Sequence, residues 1–275
     1  MLFTFILFSL LNKFKMKKTL LILLCFPLLT LAQQTYVPDD NFEAYLEANN
    51  MGNGKANDDS VTTANINTIT SLNVSSQTIS DLTGIEDFTA LTTLRCHLNQ
   101  LTSLDVSNNT ALTNLNCRNN QLTSLDLSNN TALTYLDCST NQLTSLDLSN
   151  NTALTNLDCR TNQLTSLDVS QNTALTNLNC YNNQLTSLDV SNNIALTYLY
   201  CNLNQLTSLD VSNNTALIQL GCDQNKLTSL DLRNGNNQNL TYFSVNDNLN
   251  LTCINVDNVT YSTNNWTDID AQHYF

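Results

Sequence analysis

At 275 residues the chain is long enough for one or two ordinary domains, and with 5 Gly and 2 Pro it is neither collagen-like nor a Pro-rich linker. Ten Lys and Arg against 23 Asp and Glu give a formal net charge of −13, which excludes the basic footprint of a nucleic-acid binder. Charged residues are only 12%, so Asn, Thr, Ser and Gln must build the solvent face, while 41% hydrophobic residues exclude a disordered chain.

In chain order, the first element predicted is a leader. Residues 1–32 hold no acidic residue, and Met16-Lys17-Lys18 precede an apolar run from Leu20 to Leu31 that closes on Ala32. A charged start, a short apolar stretch and a small-residue end are the marks of a secretory signal peptide, too short for a comfortable membrane span. Met16 reads as the true start. Removing the leader takes away Lys13, Lys15, Lys17 and Lys18, leaving six basic residues against 23 acidic ones, a charge of −17. No later stretch is apolar enough to span a membrane, so the expected product is exported, either released or held at the cell surface.

Residues 33–68 read as an N-terminal cap. Pro38-Asp39-Asp40-Asn41-Phe42 opens a short helix to about Ala48, with Asp39 or Asp40 as N-cap. Gly52 to Ser60 is polar and turn-rich.

Residues 69–250 are a repeat of about nine units. Cys96, Cys117, Cys138, Cys159, Cys180, Cys201 and Cys222 recur every 21 residues. The unit L-x-x-L-x-C-x-x-N-x-L is followed by T-S-L-D-[VL]-S-x-N, and the L-x-L-x-C alternation has the period of a strand with one buried face. Leu112, Leu115, Cys117, Leu122, Leu125 and Leu127 are the inward set of one unit. A single unit cannot bury that face, but stacked neighbours can. With so little Gly, the tight turns are expected to be made by Asn, which tolerates left-handed backbone. The unit stretched around Gly235 leads to residues 251–275, a C-terminal cap with Ile254, Val256, Trp266 and Ile269.

This skeleton resembles the leucine-rich-repeat family. The first unit, Ile69 to Ala90, with its D-L-x-G-I-E segment, is similar to internalin-type bacterial repeats. The chain looks like the secreted leucine-rich-repeat proteins of gliding Gram-negative bacteria. The resemblance implies a repeat solenoid, a horseshoe or right-handed coil with a parallel β-sheet on its concave face.

Four columns of the repeat invite a reading. The cysteines lie inward with the leucines and lack the clustered pairs of a zinc site, so they read as free buried thiols. Cys253, outside the column, is a lone thiol or a partner for Cys222. Asn99, Asn120, Asn141, Asn162, Asn183, Asn204 and Asn225 form a structural ladder whose amides bond backbone groups beside the strand. Asp105, Asp126, Asp147, Asp168, Asp189, Asp210 and Asp231 place one carboxylate per unit, as a cap of the following turn or, as the sharper alternative, a Ca²⁺ ladder. The outward strand positions differ between units and carry Arg95, Arg118, Tyr135, Arg160, Tyr181, Tyr198, Tyr200 and Tyr242. Arg and Tyr are residues enriched at binding hot spots.

His97 and His273 are the only histidines and belong to no nucleophile or metal motif, so no enzyme and no cofactor are expected. The expected function is an exported, monomeric binding module whose concave face takes a protein or glycan partner, as in adhesion. A scaffold or signalling adaptor and a structural cell-surface component are the alternatives.

Overall fold

Each repeat places a leucine between two outward residues, and three such residues are all the strand a coil needs. In a computed structural model, which describes residues 32–275, nine of these short strands pair in parallel into one sheet. They are β3 (Ser71–Asn73), β4 (Thr93–Arg95), β5 (Asn114–Asn116), β6 (Tyr135–Asp137), β7 (Asn156–Asp158), β8 (Asn177–Asn179), β9 (Tyr198–Tyr200), β11 (Gln219–Gly221) and β13 (Tyr242–Ser244). Their order in the sheet follows the chain, and the register sets Leu94, Leu115, Leu136, Leu157, Leu178, Leu199 and Leu220 side by side. The body from Gln34 to Phe275 is therefore a parallel-strand solenoid of about nine turns. The leader and the Met16 start lie outside the described residues. Among the described residues no helix is long and apolar enough to cross a membrane.

The last coils add a second parallel sheet that the sequence reading did not contain. The S-L-D segments β10 (Ser208–Asp210) and β12 (Ser229–Asp231) pair with each other, and β12 with β14 (Ile254–Asn255).

The core is one continuous stack. Leu112, Leu115, Cys117 and Leu122 have no exposed surface, and the same holds coil after coil. Each fully buried leucine side chain contributes about 1.5–3 kcal/mol relative to exposure. All seven column cysteines are buried and free, and Cys253 is free and exposed. Burial pushes the Cys96 and Cys180 thiols up to about 12, so these sulfurs stay protonated and behave as small hydrophobes.

Polar ladders stitch the coils. Asn141 accepts from the N–H of Leu122 at 3.0 Å and donates to the carbonyls of Cys117 at 3.1 Å and Cys138 at 3.0 Å, so one amide satisfies groups on two coils. A second asparagine column, Asn109, Asn130, Asn151, Asn172, Asn193 and Asn214, is buried on the far side of the coil. Asn151 donates to Leu127 O at 3.1 Å and Asn130 O at 2.9 Å. Each member's Oδ1 meets no donor among the described residues. In the sequence this column is only the closing Asn of the T-S-L-D-[VL]-S-x-N segment. A threonine ladder runs beside the strands, Thr134 Oγ1 donating to Thr113 O at 3.0 Å.

The turns differ from the expectation that Asn makes them. The left-handed residue sits one place before the ladder asparagine, and it is Leu98, Asn119, Thr140, Thr161, Asn182, Leu203 or Gln224, with φ between 51° and 58°. Inter-coil hydrogen bonds hold these backbones, for example Thr140 N–H to Arg160 O at 2.9 Å. That pairing overrides the preference of Leu and Thr for negative φ.

Before the first coil, β1 (Gln34–Tyr36) pairs antiparallel with β2 (Ser60–Thr62), and α1 (Asp40–Ala48) buries Phe42 and Leu46. The N-cap is Asp39, which accepts from the N–H groups of Asn41 and Phe42. A single turn, α2 (Thr63–Ile66), leads into β3. After the last coil, α3 (Val259–Asn265) brings Trp266 to 4.7 Å from Phe243 and 5.7 Å from Phe275, centroid to centroid.

Candidate functional site

Because side chains alternate along a strand, the first and third residue of each three-residue strand stand on the outer face of the nine-stranded sheet. The residue after each cysteine extends that face. Two adjoining depressions lie there. One, of about 660 Å³, is lined by Arg160, Thr161, Asn179, Tyr181, Tyr200, Asn202, Asp223, Tyr242 and Ser244. The other, of about 310 Å³, is lined by Tyr135, Asn156, Asp158, Asn177, Asn179, Tyr198, Tyr200 and Gln219, with Leu157 and Leu178 at its floor. Both volumes lie within or near the range of ordinary ligand sites. Tyr200 and Asn179 belong to both, so the two form one trough across β6 to β13.

Six of the eight face residues singled out from the sequence line this trough: Tyr135, Arg160, Tyr181, Tyr198, Tyr200 and Tyr242. Arg95 is exposed on β4 and Arg118 lies beside β5, and neither lines it. Arg118 turns to Asp137, Nε to Oδ2 at 4.0 Å, and Asp137 also accepts from the Ser139 hydroxyl at 2.6 Å. Arg160 pairs with Asp158 at 3.6 Å. Even so, burial raises the Asp158 carboxyl above its usual range, the Arg160 N–H and guanidinium offsetting it only in part. Burial also raises Tyr135, with Asp137 and Asp158 adding to the effect, so its hydroxyl stays protonated at neutral pH.

Asn202, an outward position of its unit in the sequence, also lines the trough, and Asp223, Gln219 and Ser244 join it without having been singled out from the sequence. Asn202 donates to Asp223, as does the Ser244 hydroxyl at 2.8 Å, and the Tyr200 hydroxyl donates to Gln219. The signal was present in the unit Leu217 to Leu227, where Gly221 replaces a side chain on the face. A Cβ at Gly221 would stand 2.5 Å from Asn202 Oδ1, so glycine makes room for that amide to fold over the strand.

The aspartate column lies away from this face. Asp105, Asp126, Asp147, Asp168, Asp189 and Asp210 each accept the N–H two residues on at 2.9 Å, and Asp231 accepts that of Arg233 at 3.0 Å. Backbone and hydroxyl bonds from Ser128 hold Asp126 below the usual carboxylate range, against burial and its neighbours Asp105 and Asp147. No aspartate of the column belongs to a set of three ligand side chains close enough to share an ion, among the described residues. His97 sits beside the ladder at one end of the sheet, and His273 is buried after α3 against Asp270 at 3.6 Å.

No family model matches the chain. Internalin J of Listeria monocytogenes serotype 4b is 43% identical over 74 residues, 27% of this chain and 8% of that protein. The solved functional domain of InlJ from Listeria monocytogenes, which includes a cysteine ladder, is 35% identical, covering 82% of this chain and 62% of that one, with a TM-score of 0.49. This chain thus spans less than two thirds of either. Two other solved structures share the fold. Internalin C2 of Listeria monocytogenes has a TM-score of 0.58 at 23% identity, covering 87% of this chain and 96% of that one. YopM, a leucine-rich effector protein of Yersinia pestis, has a TM-score of 0.57 at 28% identity, covering 68% of this chain and 51% of that one. The chain folds as a leucine-rich-repeat solenoid, with internalin-type proteins among its neighbours in sequence and structure.

Proposed function

We propose that the chain is a non-enzymatic, exported binding module that holds a protein or glycan partner on its strand face, as an adhesion or interaction protein does. The observation that carries this is the trough, in which five tyrosines from four coils converge on one stretch of an otherwise uniform repeat. Positions that only solvate a coil are copied unchanged, as T-S-L-D is in unit after unit. The trough residues differ from unit to unit, and tyrosine offers rigid contact area with a polar tip. Solenoids present long surfaces suited to such contacts. Export rests on the leader-like residues 1–32.

The test starts with a pull-down by the chain from Gln33 onward, from envelope or host-cell extract, with the captured molecule identified by mass spectrometry. Tyr181→Ala, Tyr198→Ala, Tyr200→Ala and Arg160→Ala together abolish capture while Tm stays within about 3 °C of the parent. Capture that survives the four substitutions refutes the strand face as the binding surface.

A further inference from the structure

The N-terminal segment holds a group of carboxylates that the binding trough does not use. Glu43, in the first turn of α1, is 1% exposed. Its Oε1 accepts the N–H of Asp58 at 3.1 Å, but its Oε2 is buried and meets no donor. An ionised oxygen out of water and without a partner is costly. Asp40, three residues earlier and on the same helix face, and Asp59, from the loop that closes onto α1, each bring an oxygen to the same point. The three ligand atoms, one from each residue, lie within 4.8 Å of one another. Among the described residues no Lys, Arg or His forms an ion pair with any of them.

The N-terminal dipole of α1 favours Asp40 and Glu43 but accounts for neither Asp59 nor the orphaned oxygen. A cation accounts for both. We propose that Asp40, Glu43 and Asp59 bind a calcium ion. The donors are all oxygen, which disfavours zinc and other metals that seek nitrogen or sulfur. Ligand distances of about 2.3–2.6 Å put opposite oxygens of a Ca²⁺ shell about 4.6–5.2 Å apart, a span that contains this triad. Asp40 and Asp59 are exposed, so water completes the shell from the solvent side. Asp59 is fixed in place, its carbonyl accepting from Val37 N–H at 2.9 Å. The ion ties α1 to the loop between α1 and β2.

The test is calorimetric titration of the chelator-stripped chain from Gln33 onward with CaCl₂, and Tm with and without the ion. One ion binds per chain, and at a hundredfold excess over Kd the Tm rises by about 5 °C. Glu43→Gln loses this shift. Asp59→Asn, which changes only an exposed group, weakens binding at least tenfold and guards against a folding defect in the first variant. Asp126→Asn with Asp147→Asn leaves binding unchanged. No heat and no Tm shift in the parent chain overturn the proposal, as does binding that Asp59→Asn leaves intact or an equal shift with MgCl₂.

Discussion

Tyr200 and Tyr242 stand on strands two apart in the sheet, β9 and β13, yet their ring centroids are 6.2 Å apart at a 54° tilt. The strand between them carries Gly221, which pairs with Tyr200 on one side and Ser244 on the other and offers no side chain to keep the rings apart. Strands two places apart in a sheet are separated by about 9.6 Å, so the approach is made by the side chains across the gap that glycine leaves. The large end of the trough depends on this gap.

Filling the gap therefore closes the site without disturbing the coil. Asn already occupies the position of Gly221 in β5 and β8, as Asn116 and Asn179. Gly221→Asn displaces the Asn202 amide and separates the two tyrosines. Capture of the partner falls at least tenfold, while Tm changes by less than about 3 °C. Unchanged capture by a folded variant contradicts the placement of the site.

The N-terminal segment is joined to the first coil through Asp39. Its Oδ2 accepts from the N–H and the hydroxyl of Ser80, each at 2.8 Å, while Oδ1 caps α1. Asp39→Ala removes the cap and leaves these donors unpaired, a cost of about 2–3 kcal/mol. Burial alone raises the Asp39 carboxyl, but bonds from Ser80, Phe42 and Asp81 outweigh it and hold the group below its ordinary 3.8. A depressed folded value means the contribution is whole above the unfolded value and is lost as pH falls through the folded one. The Tm gap between the parent and Asp39→Asn is widest above about pH 5 and narrows below pH 3. A gap independent of pH contradicts this role.

Left-handed backbone at a β-branched residue is a local cost carried by the turn column. Thr140, exposed and with φ 53°, lies outside the trough, and the same position in other coils is Asn119 or Asn182. Thr140→Asn relieves about 1 kcal/mol and raises Tm by about 2–4 °C. Calorimetric scans of the two chains decide it, an unchanged or lower midpoint counting against the argument.

The thiols divide into two classes. In a chain beginning at Gln33, Cys253 is exposed, and the seven column cysteines are buried and held protonated by burial. A thiol reagent modifies one cysteine per native chain and eight once guanidinium unfolds it. Rapid modification of more than one in the native state contradicts the sealed column.

Much of this architecture is legible in the repeat, and the limits have physical causes. Leu115 and Cys117 declare their burial by alternation, because a period of 2 with one apolar face has a single solution in a stacked coil. Asn109 and its column do not, because a buried asparagine has the same letter as a turn asparagine. Its burial follows only from where the preceding coil places its carbonyls, those of Ile85 and Phe88 for Asn109 and those of Val106 and Asn109 for Asn130. Leu98 and Thr140 hide their left-handed geometry for a related reason: hydrogen bonds to the next coil, not their own preferences, set φ. At the trough, Tyr198 and Tyr200 stand out by breaking the repeat. Gly221 and Asp223 matter through what their neighbours do across strands, which one unit read alone does not show. Glu43 reads as a helix-surface acid, and only the fold of the following loop buries it.

The most direct test of the binding reading is hydrogen exchange on the chain from Gln33 onward, free and saturated with its captured partner. The account predicts added protection in residues 156–161, 177–182, 198–203, 219–224 and 242–244, and none in the S-L-D segments on the opposite side of the coil. Protection confined to those S-L-D segments, or to the termini, would contradict it.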